Sequence, residues 1–126
     1  MPGKVADASV VAALVFRESR RVEAAEILGG DDLHAPSLLA YELTNVAGKK
    51  HELYPDQAEA AIEGLDLGLS MVTHWVDVDY QSVLRIALET GISAYDAAYL
   101  WVARSSGLQL VTFDAELQRA IRRLNQ

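Results

Sequence analysis

A chain of 126 residues, 51% hydrophobic and 23% charged, has the material for one packed core and not the composition of a disordered segment. It has no cysteine, which excludes disulfides, thiolate zinc sites and cysteine nucleophiles together. A formal net charge of −7, with a pI near 4.8, weighs against binding nucleic acid through lysine and arginine alone.

In chain order, Lys4–Ala6 reads as a strand and Ser9–Arg17 as the helix after it. Ser19–Leu28 reads as a second helix, stopped by Gly29-Gly30. Leu33–Ala35 is a short strand, and Pro36 suits the first turn of a helix running to about Lys50. Pro55 opens another helix that ends near Gly68, followed by a strand over Ser70–Val76. A helix from Val78 or Asp79 stops before Gly91, and Ser93–Ser106 forms the next, closed by Gly107. Leu108–Thr112 is the last strand and Ala115–Leu124 the last helix.

Strands separated by helices require crossovers, so the expected fold class is α/β, with a mainly parallel sheet of four or five strands. No linker or repeat divides residues 1–126, which are expected to form a single domain. The longest apolar run, Val10–Phe16, is too short to span a bilayer, and the N-terminus lacks the apolar run of a secretory signal. A soluble cytoplasmic protein is the expectation.

In parallel sheets ligands bind beyond the carboxyl ends of the strands. Asp7 and Asp114 each follow an apolar strand and emerge at that edge. Helices that follow parallel strands begin at the same edge. Asp96 lies in the first turn of one and Glu42 in the second turn of another. At about 100° per residue, Glu42 falls among Leu38, Leu39 and Val46, and Asp96 among Tyr99, Leu100 and Ala103. An acid on an apolar arc is costly unless its charge is compensated. Four carboxylates at one edge, with no cysteine or paired histidine nearby, favour Mg²⁺ or Mn²⁺ over zinc. Such a cation would also meet phosphate, which answers the objection raised by the acidic net charge.

Each acid also has a structural reading. Asp7 and Asp114 suit helix N-caps, Ser93 and Asp96 match a capping box, and Glu42 can pair with Lys49 or Lys50. His34, His51 and His74 lack ligand spacing and read as structural or exposed, and Trp75, Trp101 and Tyr99 read as core. The basic groups Arg17, Arg20 and Arg21, Lys49 and Lys50, and Arg119, Arg122 and Arg123 are either solvated helix faces or a path for a nucleic-acid strand. No nucleophile elbow, P-loop or dinucleotide fingerprint is present.

Taken together these segments resemble the PIN-domain family, and within it the VapC group of toxin–antitoxin ribonucleases. Val5-Ala6-Asp7-Ala8-Ser9 is similar to the family's opening strand and Asp-x-Ser/Thr turn. The stretch from Pro36 to Val46 resembles its glutamate helix, with Asn45 one turn beyond Glu42. Ser93–Tyr99 resembles its third acidic motif, and Leu110–Leu117 its closing Thr-x-Asp-x-x-Leu. The resemblance covers the whole chain.

It implies a three-layer α/β/α sandwich and hydrolysis of RNA at a site holding Mg²⁺ or Mn²⁺. Asp7 and Asp96 would ligate the cation directly, with Asp114 and Glu42 completing or orienting the site. Ser9, Thr112 and Asn45 would support the carboxylates or the water, and Arg17, Arg20, Arg21, Lys49 and Lys50 would guide RNA. A VapB-like protein antitoxin and a homodimer are further implications. The alternatives are a PIN-fold binding module without catalysis and a metal-dependent DNA nuclease. A receiver domain would need a lysine after the last strands, whereas the last lysine of this chain is Lys50.

Overall fold

The computed structural model describes residues 3–125, so the expected domain limits at 1 and 126 lie outside the described residues. Its elements are β1 (Gly3–Ala6), α1 (Ala8–Val15), α2 (Arg21–Leu28), β2 (Asp32–Ala35) and α3 (Leu38–Leu53). A 3-10 turn (Pro55–Gln57) leads into α4 (Ala58–Met71), then β3 (Val72–Trp75), α5 (Tyr80–Thr90), α6 (Ala94–Ser106), β4 (Gln109–Val111) and α7 (Ala115–Leu124).

The sheet has four strands in the order β3-β2-β1-β4, and every pairing is parallel. Connections from β1 to β2 to β3 step in one direction. The connection from β3 to β4 steps back past both inner strands. Right-handed crossovers therefore put α1–α4 on one face and α5 and α6 on the other. The α/β/α layering follows, and the direction of winding reverses beside β1, where the carboxyl ends leave a crevice.

Val5 and Ala6 on the central strand are fully buried, as are Val10 and Val11 of α1, Leu39 and Leu43 of α3, Val102 of α6 and Leu117 of α7. Burying each valine or leucine contributes roughly 1.5–3 kcal/mol against the chain entropy of folding. Layers of helix on one face close at small residues. A Cβ at Gly64 of α4 would stand 2.7 Å from the Phe16 ring and 2.8 Å from the Val15 carbonyl, so α1 and α4 meet at backbone distance.

Several boundaries differ from the sequence expectation. α1 stops at Val15 because Arg17 takes a left-handed φ of 54°, and α2 begins only at Arg21. α3 runs on to Leu53, and α4 continues through Gly68 to Met71, shortening β3 at its start. Gly68 does not end the helix because its missing side chain is used for packing, with Leu43 and Val11 against it. Trp75, expected in the core, is 45% exposed, since β3 is an edge strand.

Candidate functional site

Asp7 follows β1 and caps α1, its Oδ1 accepting from the Ser9 amide at 3.1 Å and from Ser9 Oγ at 2.6 Å. Its Oδ2 accepts from Thr112 Oγ1 at 2.5 Å. The same two hydroxyls receive the turn that follows β4. Ser9 Oγ accepts from the Phe113 amide at 3.0 Å, and Thr112 Oγ1 from the Asp114 amide at 2.9 Å. Ser9 and Thr112 thus each face a carboxylate and a backbone N–H, which fixes the direction of each O–H. The ends of β1 and β4 are stitched together through Asp7.

Asp114 caps α7, and one oxygen, Oδ1, accepts both the Glu116 amide at 2.8 Å and the Leu117 amide at 3.0 Å. Its residue is exposed at the carboxyl edge. Asp96 stands in the first turn of α6, whose N-cap Ser93 accepts from the Asp96 amide at 3.1 Å. Glu42 projects from α3 and accepts a hydrogen bond from the buried Tyr99 hydroxyl. The structural readings of Asp7 and Asp114 as caps are therefore correct, and compatible with a site. The pairing of Glu42 with a lysine is not found. Lys50 instead pairs with Glu18 at 3.1 Å.

The charges bind these four residues into one electrostatic unit. Burial pushes the Asp7 carboxyl above its ordinary range, against the hydrogen bonds from Ser9 and Thr112 that pull it down. Glu42 is raised by burial first and then by the charges of Asp7 and Asp96, with the Tyr99 hydrogen bond opposing. Asp96 is raised by burial, then by Asp114, Asp7 and Glu116. Carboxylates that repel one another in this way are each stabilised by a cation placed among them.

The supporting residues divide. Thr112 is buried and Ser9 half-buried, both against Asp7, whereas Asn45 is exposed on the turn beyond Glu42. Sequence reasoning missed the hydroxyl of Tyr99, although its place one turn after Asp96 put it on the same arc of the helix. Arg20, expected on an RNA path, has its guanidinium engaged within the protein. That group lies 3.7 Å over the Phe113 ring and holds Glu23 through Nε and Nη2, both at 2.9 Å. Arg17, Arg21 and Lys49 are exposed. His34 and His74 are separated in sequence but paired in strand register, with ring centroids 4.4 Å apart.

A family model described as PIN domain matches residues 4–122. The chain belongs to the PIN-domain family. Exonuclease VapC9 of Pyrobaculum aerophilum is 39% identical to it over 111 residues, which is 88% of this chain and 80% of that protein. Ribonuclease VapC3 of the same organism is 32% identical over 118 residues, covering 90% of each. A Pyrobaculum aerophilum protein of known crystal structure superposes with a TM-score of 0.74 at 34% identity, over 94% of this chain and 86% of that one. Within the PIN domains the chain is a VapC-type nuclease, a phosphodiester hydrolase.

PIN-domain nucleases work with divalent metal ions. The donor set here fits such an ion, being all carboxylate oxygen and mutually repulsive. Among the described residues, no three His, Asp or Glu side chains stand close enough as placed to hold a metal ion. A hard cation at this edge would keep several of its own waters.

Proposed function

We propose that this VapC-type nuclease is an endoribonuclease, the toxin of a VapBC-type pair, and that Asp7, Glu42, Asp96 and Asp114 hold its Mg²⁺ or Mn²⁺. Asp7 and Asp96 are the direct ligands in this reading, with Asp114 and Glu42 completing or orienting the set. The observation that carries it is electrostatic: Asp96 on α6 is raised in proton affinity by burial first and then by the charges of Asp114 and Asp7, which come from two other parts of the chain. A cation bound there would hold the scissile phosphate and lower the pKa of an attacking water.

The chain's own residues do the positioning. Ser9 and Thr112 occupy both oxygens of Asp7 and so fix the plane of its carboxylate. Asp114 spends one oxygen on the helix cap, and Oδ2 would be the one to meet the cation. Asn45, being exposed, is the one supporting residue whose role rests on the family motif alone. Arg17, Arg21 and Lys49 would guide the RNA backbone, while Lys50 is already committed to Glu18 and Arg20 to Glu23.

RNA as substrate is supported by the name of Ribonuclease VapC3, and a VapB-like protein antitoxin by the VapC-type relatives. A homodimer is supported by the outer face of α5, where Tyr80, Leu84 and Leu88 are 81%, 56% and 76% exposed at successive turns. Sedimentation of the wild type and of Leu88→Glu tests it.

The decisive experiment is cleavage of matched RNA and DNA strands by purified protein, with and without Mg²⁺ or Mn²⁺. Metal-dependent internal cleavage of RNA, lost in Asp7→Asn and Asp96→Asn, is the expected result. Undiminished cleavage by either variant overturns the assigned site. Because one relative is named an exonuclease, a second reading is cleavage from strand ends. Comparing circular with linear RNA separates the two.

A further inference from the structure

Tyr99 is 1% exposed, the largest of the fully buried side chains, yet its hydroxyl reaches out of the core to Glu42 Oε1. The two residues belong to opposite layers. Tyr99 is on α6, one turn after Asp96, and Glu42 is on α3, 57 residues earlier. The phenol O–H donates and Oε1 accepts.

From this arrangement we infer that Tyr99 is the positioning residue of the metal site, fixing how Glu42 meets the cation. This rests on the four-carboxylate reading above. The phenol takes one lone pair of Oε1 and holds the plane of the carboxylate, which favours contact with the cation or one of its waters through Oε2. The same bond links the two acid-bearing helices, because Asp96 shares α6 with Tyr99. A partner that orients a metal-binding carboxylate typically contributes ten- to a hundredfold in affinity or activity. No alternative donor to Oε1 is needed, and the ring itself is held by the core on all sides.

Tyr99→Phe keeps the ring and removes only the hydroxyl. Calorimetric titration of the metal-free protein with Mn²⁺ is expected to show affinity reduced roughly tenfold. In a Glu42→Gln background the same substitution is expected to change Mn²⁺ affinity little, since its effect runs through the Glu42 carboxylate. Losses that simply add, or wild-type affinity in Tyr99→Phe with only a lowered melting temperature, overturn the inference and leave Tyr99 a packing residue. Failure of the wild type to bind Mn²⁺ overturns the metal-site reading itself, and the inference with it. In the native protein, Mg²⁺ is expected to shift the Tyr99 hydroxyl proton resonance; a resonance unmoved by saturating Mg²⁺ refutes the link without any variant.

Discussion

The Thr112 hydroxyl lies 2.5 Å from Asp7 Oδ2, closing a contact across 105 residues of sequence at the middle of the carboxyl edge. It also accepts the Asp114 amide, so one side chain serves two acids. Thr112→Val keeps the shape and removes both bonds. Leaving a buried carboxylate short of one donor costs about 1–3 kcal/mol. Urea denaturation is expected to register that loss, and cleavage to fall roughly tenfold with it. Full activity in Thr112→Val would show that Ser9 alone orients Asp7.

Asp96 is raised by burial and by three neighbouring acids, and no side-chain hydrogen bond relieves it among the causes of its shift. Asp96→Asn removes the repulsion. In metal-free buffer this variant is expected to melt higher than the wild type while cleaving RNA at least tenfold more slowly. Thermal melts with EDTA check the first part, and a lower melting temperature contradicts it.

The pH dependence of the metal-free protein should run opposite to that of a protein held by ion pairs. Asp7, Glu42 and Asp96 all bind protons more tightly when folded than their ordinary values of 3.8, 4.5 and 3.8. Between those values and the folded ones, the native state holds more protons than the unfolded state. Their contribution is therefore present below the ordinary values and is lost as pH rises through the folded ones. In the proposed reading, Mg²⁺ bound to the ionised set would reverse the loss. Its stabilisation of the wild type should be larger at a pH of about 8 than at about 5. An equal shift at both, read by scanning calorimetry, would contradict this.

Gly64→Ala tests the contact of α1 with α4. Alanine favours helix by about 1 kcal/mol. Its methyl, however, would meet the Val15 carbonyl at 2.8 Å, and backbone cannot swing aside as a side chain can. Overpacking of this kind costs about 1–3 kcal/mol, so a net loss of stability is expected in denaturant titration. A variant more stable than the wild type would mean that the helices can separate without penalty.

The acids were legible because strand ends and first turns are written locally: a short, largely apolar strand followed by aspartate, or an acid interrupting an apolar arc. Asp7, Glu42, Asp96 and Asp114 needed only the parallel-sheet rule to be placed at one edge. Helix ends were legible where a glycine takes a left-handed turn, as at Gly91 and Gly107, and illegible at Gly68, which looks the same in sequence but serves packing. Contacts set by the approach of distant elements left no local trace. The Tyr99–Glu42 bond, the tilted approach of His34 to His74 and the Arg20–Phe113 contact all depend on register or layer spacing. Trp75 failed for a related reason: hydrophobicity does not say which strand will lie at an edge.

The stitch between the ends of β1 and β4 has a consequence for synthesis. Asp7 is made before Thr112, with 105 residues of sequence separating them. A growing chain on the ribosome carries Asp7 and Ser9 while Thr112 does not yet exist. In the proposed reading, the four carboxylates therefore come together only when β4 docks against β1.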